Sequence, residues 1–62
     1  MKGKIIKVIE DFPFITVYYE SGVSRKYESV YGVPATAWVF MQGAKVYRDN
    51  NGCKIFTMQR VN

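Results

Sequence analysis

The chain has 62 residues, of which 48% are apolar and 16% aromatic, and nine lysines and arginines against five acidic residues give it a net charge of +4. This composition excludes an intrinsically disordered chain, and the length fits a single small domain over residues 1–62. Histidine is absent and Cys53 is the one cysteine, so most side chains that perform acid–base, nucleophilic or metal chemistry near neutral pH are missing. We therefore expect a non-enzymatic protein without a cofactor or metal.

The sequence lacks a continuous apolar stretch that would target or cross a membrane. Its apolar runs stay well below the ~18 residues that a spanning helix requires, and the first ten residues alternate lysines with isoleucines. Cys53 has no partner for a disulfide within the chain, as is usual in reducing compartments. These features favour a cytoplasmic protein with no membrane contact.

Two segments rich in β-branched and aromatic residues open the chain, residues 4–10 and residues 14–19. They flank residues 11–13, where Pro13 suits a turn and cannot lie inside a central strand. The pattern predicts two antiparallel strands joined by a tight connection.

A third strand is predicted over residues 23–29, after a three-residue loop that ends at Gly22. With Gly22 in the left-handed conformation, Val17 lies opposite Arg25 and the apolar positions of the two strands share one face. A two-residue turn would instead bring Lys26 opposite Val17. Because register follows the buried face, we prefer the three-residue loop.

Between Ser29 and Gly43 the spacing of the apolar residues no longer follows the two-residue alternation of a strand. Pro34 suits the first turn of a helix. We predict one short helix over residues 34–42. Trp38 and the two residues after it would also suit a strand. The spacing favours a helix that packs Ala37, Trp38 and Met41 against the sheet.

A second hairpin is predicted around a tripeptide that tolerates positive φ angles, Asn-Asn-Gly at residues 50–52. Its strands are predicted over residues 44–49 and residues 53–61. A three-residue loop pairs Val46 with Phe56 on one face and Tyr47 with Ile55 on the other. Both faces are partly apolar, so either the strand pair is covered on both sides or one face presents aromatic surface to a partner.

The element order β-β-β-α-β-β with short connections predicts an α+β, mainly β fold. We expect a small twisted antiparallel sheet or partly open barrel of about five strands, with one short helix. In element order this resembles the small SH3-like and OB-like barrels. The side chains expected in the core are Ile15, Val17, Trp38, Val46 and Phe56.

Catalysis has little support in the acidic residues. Glu10 and Asp11 are the two that are adjacent in the sequence, and they lie at a predicted turn, whereas a glycosidase-type pair must converge on a cleft. The sequence also lacks a glycine-rich phosphate loop and metal-ligand spacing. We predict that the protein is not an enzyme.

Cations and aromatic rings alternate on the predicted strands, and this pattern is the best indication of function. Sheet surfaces bind single-stranded nucleic acids by stacking bases on exposed rings while cations contact the phosphates. The predicted registers bring such side chains together on the solvent face, with one cation near the hairpin tip. The candidate binding residues are Tyr18, Lys26, Lys45, Tyr47 and Arg48.

Two other interpretations remain open. Tyr, Trp, Phe, Met and Arg are also enriched in protein interfaces, and the chain resembles in size the accessory proteins of phages and mobile elements. It could therefore be a protein-binding inhibitor or adaptor that docks on and blocks a larger host protein. The third interpretation is a structural oligomer subunit joined through edge strands. A small core and the apolar pair Tyr47 and Ile55 also favour a homodimer.

Overall fold

The computed structural model describes residues 3–58, which form five antiparallel strands and one α-helix. The elements are β1 (Ile5–Asp11), β2 (Phe14–Tyr19), β3 (Ser24–Tyr27), a 3₁₀ turn (Val30–Gly32), α1 (Ala35–Gly43), β4 (Lys45–Arg48) and β5 (Lys54–Thr57). The strands make one open sheet in the order β3-β2-β1-β5-β4. The predicted mainly β fold is confirmed, in the form of an open sheet.

Both predicted three-residue loops are present, and each depends on a glycine. Gly22 and Gly52 have φ angles of 94° and 85°, a region that other residues rarely adopt. In each loop the glycine N–H donates to the carbonyl of the residue three positions earlier: Gly22 to Tyr19 at 3.0 Å and Gly52 to Asp49 at 3.1 Å. The registers follow the prediction: Val17 pairs with Arg25, and Tyr47 pairs with Ile55.

The first strand lies at the centre of the sheet. β1 pairs with β2 on one side and with β5 on the other, so that Val8 lies between Val17 and Phe56. A register shift between Ile5 and Lys7 interrupts the pairing near the start of β1. The sheet thus consists of two locally connected units, β1 to β3 and β4 to β5, joined along the β1–β5 pairing.

The core lies between one face of this sheet and α1. Its buried side chains come from the three central strands, from the helix and from the segment before the helix: Val8, Ile15, Val17, Tyr19, Val33, Ala37 and Phe56. Phe40 and Met41 pack against this cluster from the helix. Burial of Ile15, Val17 and Phe56 is therefore confirmed.

The expectation that Trp38 and Val46 are buried was wrong, since they are 36% and 47% exposed. Ala37, Phe40 and Met41 repeat at the three- and four-residue spacing of one helix face, and Trp38 lies about 100° around the axis from Ala37. Val46 lies on β4, at the edge of the sheet, whereas the nine-residue helix packs against β1. The short helix does not cover that edge.

Several element ends also differ from the prediction. Pro34 is the residue before α1 rather than part of it, and Gly43 is its last residue. β3 ends at Tyr27 because Ser29 caps the 3₁₀ turn, its Oγ accepting from the Tyr31 N–H at 3.2 Å. The last part of the predicted fifth strand, residues 59–61, lies outside the described residues. Between residues 3 and 58, no helix has the length and apolar character to span a membrane.

Candidate functional site

The two faces of the sheet differ in what packs on them. Because side chains alternate along a strand, Val8 on the helix side places Lys7 and Ile9 on the opposite face, which we call the open face. Two rows of paired residues cross this face from β3 to β4. One row is Ser24, Tyr18, Lys7, Thr57 and Lys45, and the other is Lys26, Thr16, Ile9, Ile55 and Tyr47. None of these ten side chains is buried.

Three lysines of the open face each lie over an aromatic ring. The ammonium-to-centroid distances are 4.5 Å for Lys7 over Tyr18, 4.5 Å for Lys26 over Phe14 and 5.5 Å for Lys45 over Tyr47. At such distances the ring quadrupole attracts the cation, by roughly 0.5–1 kcal/mol at an exposed site. Cations and rings are thus arranged as pairs across the whole width of the sheet.

The spacing of these pairs follows from the ladder. Lys7 and Tyr18 are direct cross-strand neighbours, whereas Lys26 reaches past its own partner Thr16 to Phe14, two positions along β2. Cross-strand and diagonal positions are within reach of long side chains. The alternation along the strands places the core residues on one face of the sheet. It therefore also brings the rings and cations together on the other face.

One end of the open face is acidic. By the same alternation, Asp11, Cys53 and Asp49 lie there beside one another. The Asp49 Oδ1 accepts from the backbone N–H groups of Asn51 at 2.9 Å and Cys53 at 2.8 Å, which fixes the β4–β5 loop. Burial raises the pKa of the Cys53 thiol, and the Asp11 and Asp49 carboxylates raise it further. The open face is therefore cationic over most of its area and anionic at this end.

Four of the five predicted binding residues meet on the open face: Tyr18, Lys26, Lys45 and Tyr47. Arg48 does not join them. It pairs with Lys54 on the helix side of the sheet, and its Nη1 donates to the Gly52 carbonyl at 3.2 Å. The odd-numbered positions of β4 face the open side, so alternation within the predicted hairpin already separated Arg48 from Tyr47.

Sequence reasoning missed Lys7 and Phe14 as members of the open face. Both could have been found from the β1–β2 register, which pairs Lys7 with Tyr18 and Asp11 with Phe14. The connection through Pro13 has no turn signal that fixes a loop length as Gly22 does, so the sequence does not set that register.

Among residues 3–58 there is no group of three or more acidic or cysteine side chains placed to hold a metal ion. A shallow cleft of about 280 Å³ lies beside the acidic end, between Glu10, Arg48 and Lys54. The Lys54 Nζ and the Glu10 Oε1 form an ion pair there at 4.0 Å.

Comparisons of the chain with protein-family models, with curated proteins and with solved structures find no match.

Proposed function

We propose that this protein is a non-enzymatic binding module that binds single-stranded nucleic acid on the open face of its sheet. The observation that supports this best is the set of three lysines, each lying over an aromatic ring on one face. Proteins that bind single strands combine stacking rings with cations that follow the backbone.

Each lysine and its ring have separate roles in this proposal. In the free protein, the ammonium group lies on the ring face that a base would occupy. An arriving base stacks on the ring and displaces the ammonium group, which then contacts the adjacent phosphate. Because the lysine stem is long and flexible, this exchange requires no change in the backbone.

The dimensions of the open face set the size of the ligand. Five strands at about 4.8 Å spacing give a width of about 19 Å from β3 to β4, enough for roughly four nucleotides, the lower end of the range for small barrel domains. The two rows run across the strands, so the nucleic acid lies across them too. Asp11 and Asp49 repel phosphates from the end of the face that they occupy.

A single strand is favoured over a duplex because stacking requires accessible base faces, which a duplex conceals. Affinity depends on salt, since phosphate contacts release counterions, and sequence preference is weak, since every base has a stacking face.

The test compares adjacent residues of β3 that lie on opposite faces. Lys26→Ala removes a cation from the open face, and Arg25→Ala removes one from the helix side. Binding to labelled single-stranded DNA and RNA of mixed sequence is measured by fluorescence anisotropy over a range of salt concentrations. We expect Lys26→Ala to weaken binding of all sequences and to reduce the salt slope by about 0.7, the value for one phosphate of a single strand. Arg25→Ala is expected to bind like the parent.

The stacking role of the rings is tested at Tyr18, which lies on β2 and not on the edge strand β4. Tyr18→Ala is expected to lose roughly 1–3 kcal/mol of binding free energy with an unchanged salt slope, whereas Tyr18→Phe retains the stacking and binds like the parent. A parent protein that binds no single strand at low salt, or an equal loss in Lys26→Ala and Arg25→Ala, would contradict the proposal.

A second candidate function, docking on a larger protein as an inhibitor or adaptor, is supported by the outer side of α1. The helix sequence ATAWVFMQG contains no charged residue, and Val39 is 67% exposed beside Trp38. Val39→Glu is expected to abolish such docking in a pull-down from host lysate while leaving nucleic-acid binding unchanged. Retention of the same captured protein by Val39→Glu would contradict this candidate.

A further inference from the structure

The sheet has two edges, β3 and β4; each carries two cations, and β4 is the more exposed. All four residues of β4 are exposed, including Val46 and Tyr47 at 47% each. An edge strand presents unpaired backbone groups on its outer side and can add a further strand there. β4 therefore offers a place where the sheet can be extended.

The hydrogen-bond pattern shows which groups of β4 point outward. The Asp49 N–H donates to the Cys53 carbonyl at 3.1 Å, so these residues form a hydrogen-bonded pair. Hydrogen-bonded and non-hydrogen-bonded pairs alternate along an antiparallel ladder. Tyr47 therefore directs its N–H and C=O groups inward to β5, and Val46 and Arg48 direct theirs outward from the sheet.

We propose that two copies of this chain associate through β4, in antiparallel register about a twofold axis at Tyr47. In this register Val46 of each copy lies opposite Arg48 of the other, and both pairs exchange backbone hydrogen bonds through their outward groups. The two Tyr47 side chains are neighbours at the axis.

Charge complementarity selects this register. It places Lys45 of each copy opposite Asp49 of the other, so that two pairs of opposite charges flank the axis. The Oδ1 of Asp49 accepts two hydrogen bonds in its own loop, which holds the carboxylate at this end of the strand pair. A register centred on Val46 would instead bring Ala44 opposite Arg48. The Ala44 N–H already donates to Met41 at 3.4 Å, so that register loses a bond.

The other edge does not support a matching contact. β3 carries Arg25 and Lys26 in succession and ends in a bend at Glu28, whereas the β4 ladder continues to Asp49, whose N–H donates to the Cys53 carbonyl. Pairing β3 with itself about Arg25 or Lys26 places two like charges opposite each other, which destabilises a ladder. Contact between β4 strands also closes after two copies, because a twofold contact uses the same surface of both.

The proposed dimer has one continuous sheet of two five-stranded halves. Because the axis runs perpendicular to the sheet, the open faces of both copies lie on the same side. The contact depends on the edge of β4 alone, so it stands whether or not the open face binds nucleic acid.

The test is sedimentation equilibrium of the full chain from low to high micromolar concentration. We expect the parent to reach the mass of a dimer. Val46→Pro removes an outward N–H from β4, and Ser24→Pro removes the equivalent outward N–H from β3, a position that edge strands tolerate. Val46→Pro is expected to sediment as a monomer and Ser24→Pro as a dimer.

A second variant keeps the backbone of β4 unchanged. Asp49→Asn retains the oxygen that accepts from Asn51 and Cys53 but removes the charge opposite Lys45. It is expected to weaken the dimer several-fold and to make its dissociation constant less sensitive to salt. A parent that is monomeric at all concentrations, an equal effect of the two proline substitutions, or unchanged association of Asp49→Asn would each overturn the proposal.

Discussion

The cysteine at the acidic end of the open face illustrates how neighbours set the chemistry of one side chain. The reactive form of a thiol is the thiolate, and both burial and nearby carboxylates disfavour that charge. Burial, then Asp11 and Asp49, raise the pKa of Cys53. The thiol is therefore a poor nucleophile at neutral pH, in agreement with a structural role.

This raised pKa predicts slow alkylation. At any pH below the pKa, Cys53 has a smaller thiolate fraction than a free cysteine, so its reaction with iodoacetamide is slower and the midpoint of its pH profile lies higher. Asp11→Asn removes one of the carboxylates, lowers the pKa and speeds the reaction. Rates are followed by mass spectrometry from pH 7 to 10. Glu10→Gln, the adjacent acid on the helix side, is the control and should react like the parent; an equal acceleration there would contradict the assignment.

At the scale of the secondary-structure elements, the two glycine loops fix the register of both hairpins. A Cβ at Gly52 would meet no atom within 4 Å, so a substitution there tests the backbone conformation alone. Gly43, the last residue of α1, is equally open but has no positive φ angle. Because neither position is crowded, comparing the same substitution at the two glycines isolates the effect of the positive φ angle.

We expect Gly52→Ala to destabilise the protein by about 1–2 kcal/mol, because an L-residue pays that penalty in the left-handed region. Gly43→Ala should be neutral or stabilising by up to about 1 kcal/mol, since alanine favours a helix. Urea denaturation at one fixed protein concentration measures both. Equal stability of the two variants would mean that the β4–β5 loop does not require a positive φ at Gly52.

The hairpin registers were predictable because the information for them is local. Gly22 selects one loop length, and the alternative puts Lys26 opposite Val17, on the buried face. The face of α1 was less predictable. Its apolar residues occur all around the helix, so Trp38 matched the pattern of a core residue as well as Phe40 did. Only the position of the helix over β1 decides between them.

At the scale of the whole molecule, stability depends on a small set of side chains around Val8. Val8 is fully buried between Val17 and Phe56, whereas Val39 on α1 is 67% exposed. The same substitution at the two positions thus compares the core with the surface.

Val8→Ala is expected to lower the free energy of unfolding by about 2–3 kcal/mol, because two buried methyl groups are lost and a cavity remains. For a domain of this size the corresponding drop in Tm is ~10 °C or more. Val39→Ala should change stability by less than about 0.5 kcal/mol. Thermal unfolding is followed by circular dichroism at one protein concentration. A similar Tm for both variants would contradict the assigned core.

The sequence predicts those parts of the candidate site that lie within a single hairpin. Tyr18 and Lys26 share one hairpin, Lys45 and Tyr47 the other, and alternation placed each pair on the solvent side. What joins the two pairs is β1, which supplies Lys7 between them. The pairing of β1 with β5 connects residues far apart in the sequence, so no turn residue indicates it.

The central position of β1 has a consequence for how the chain is assembled. During synthesis β1, β2 and β3 emerge as one meander, and one side of β1 must wait for β5, the last of the five strands. A cut in residues 28–34 would leave a three-stranded fragment and a helix with a hairpin, which meet along the β1–β5 pairing and where α1 packs on the sheet. The apolar residues Val8 and Phe56 face each other across the β1–β5 pairing, which gives the two fragments a reason to recombine. The architecture therefore suits a split reporter, in which reunion of the halves signals the proximity of whatever each half is fused to.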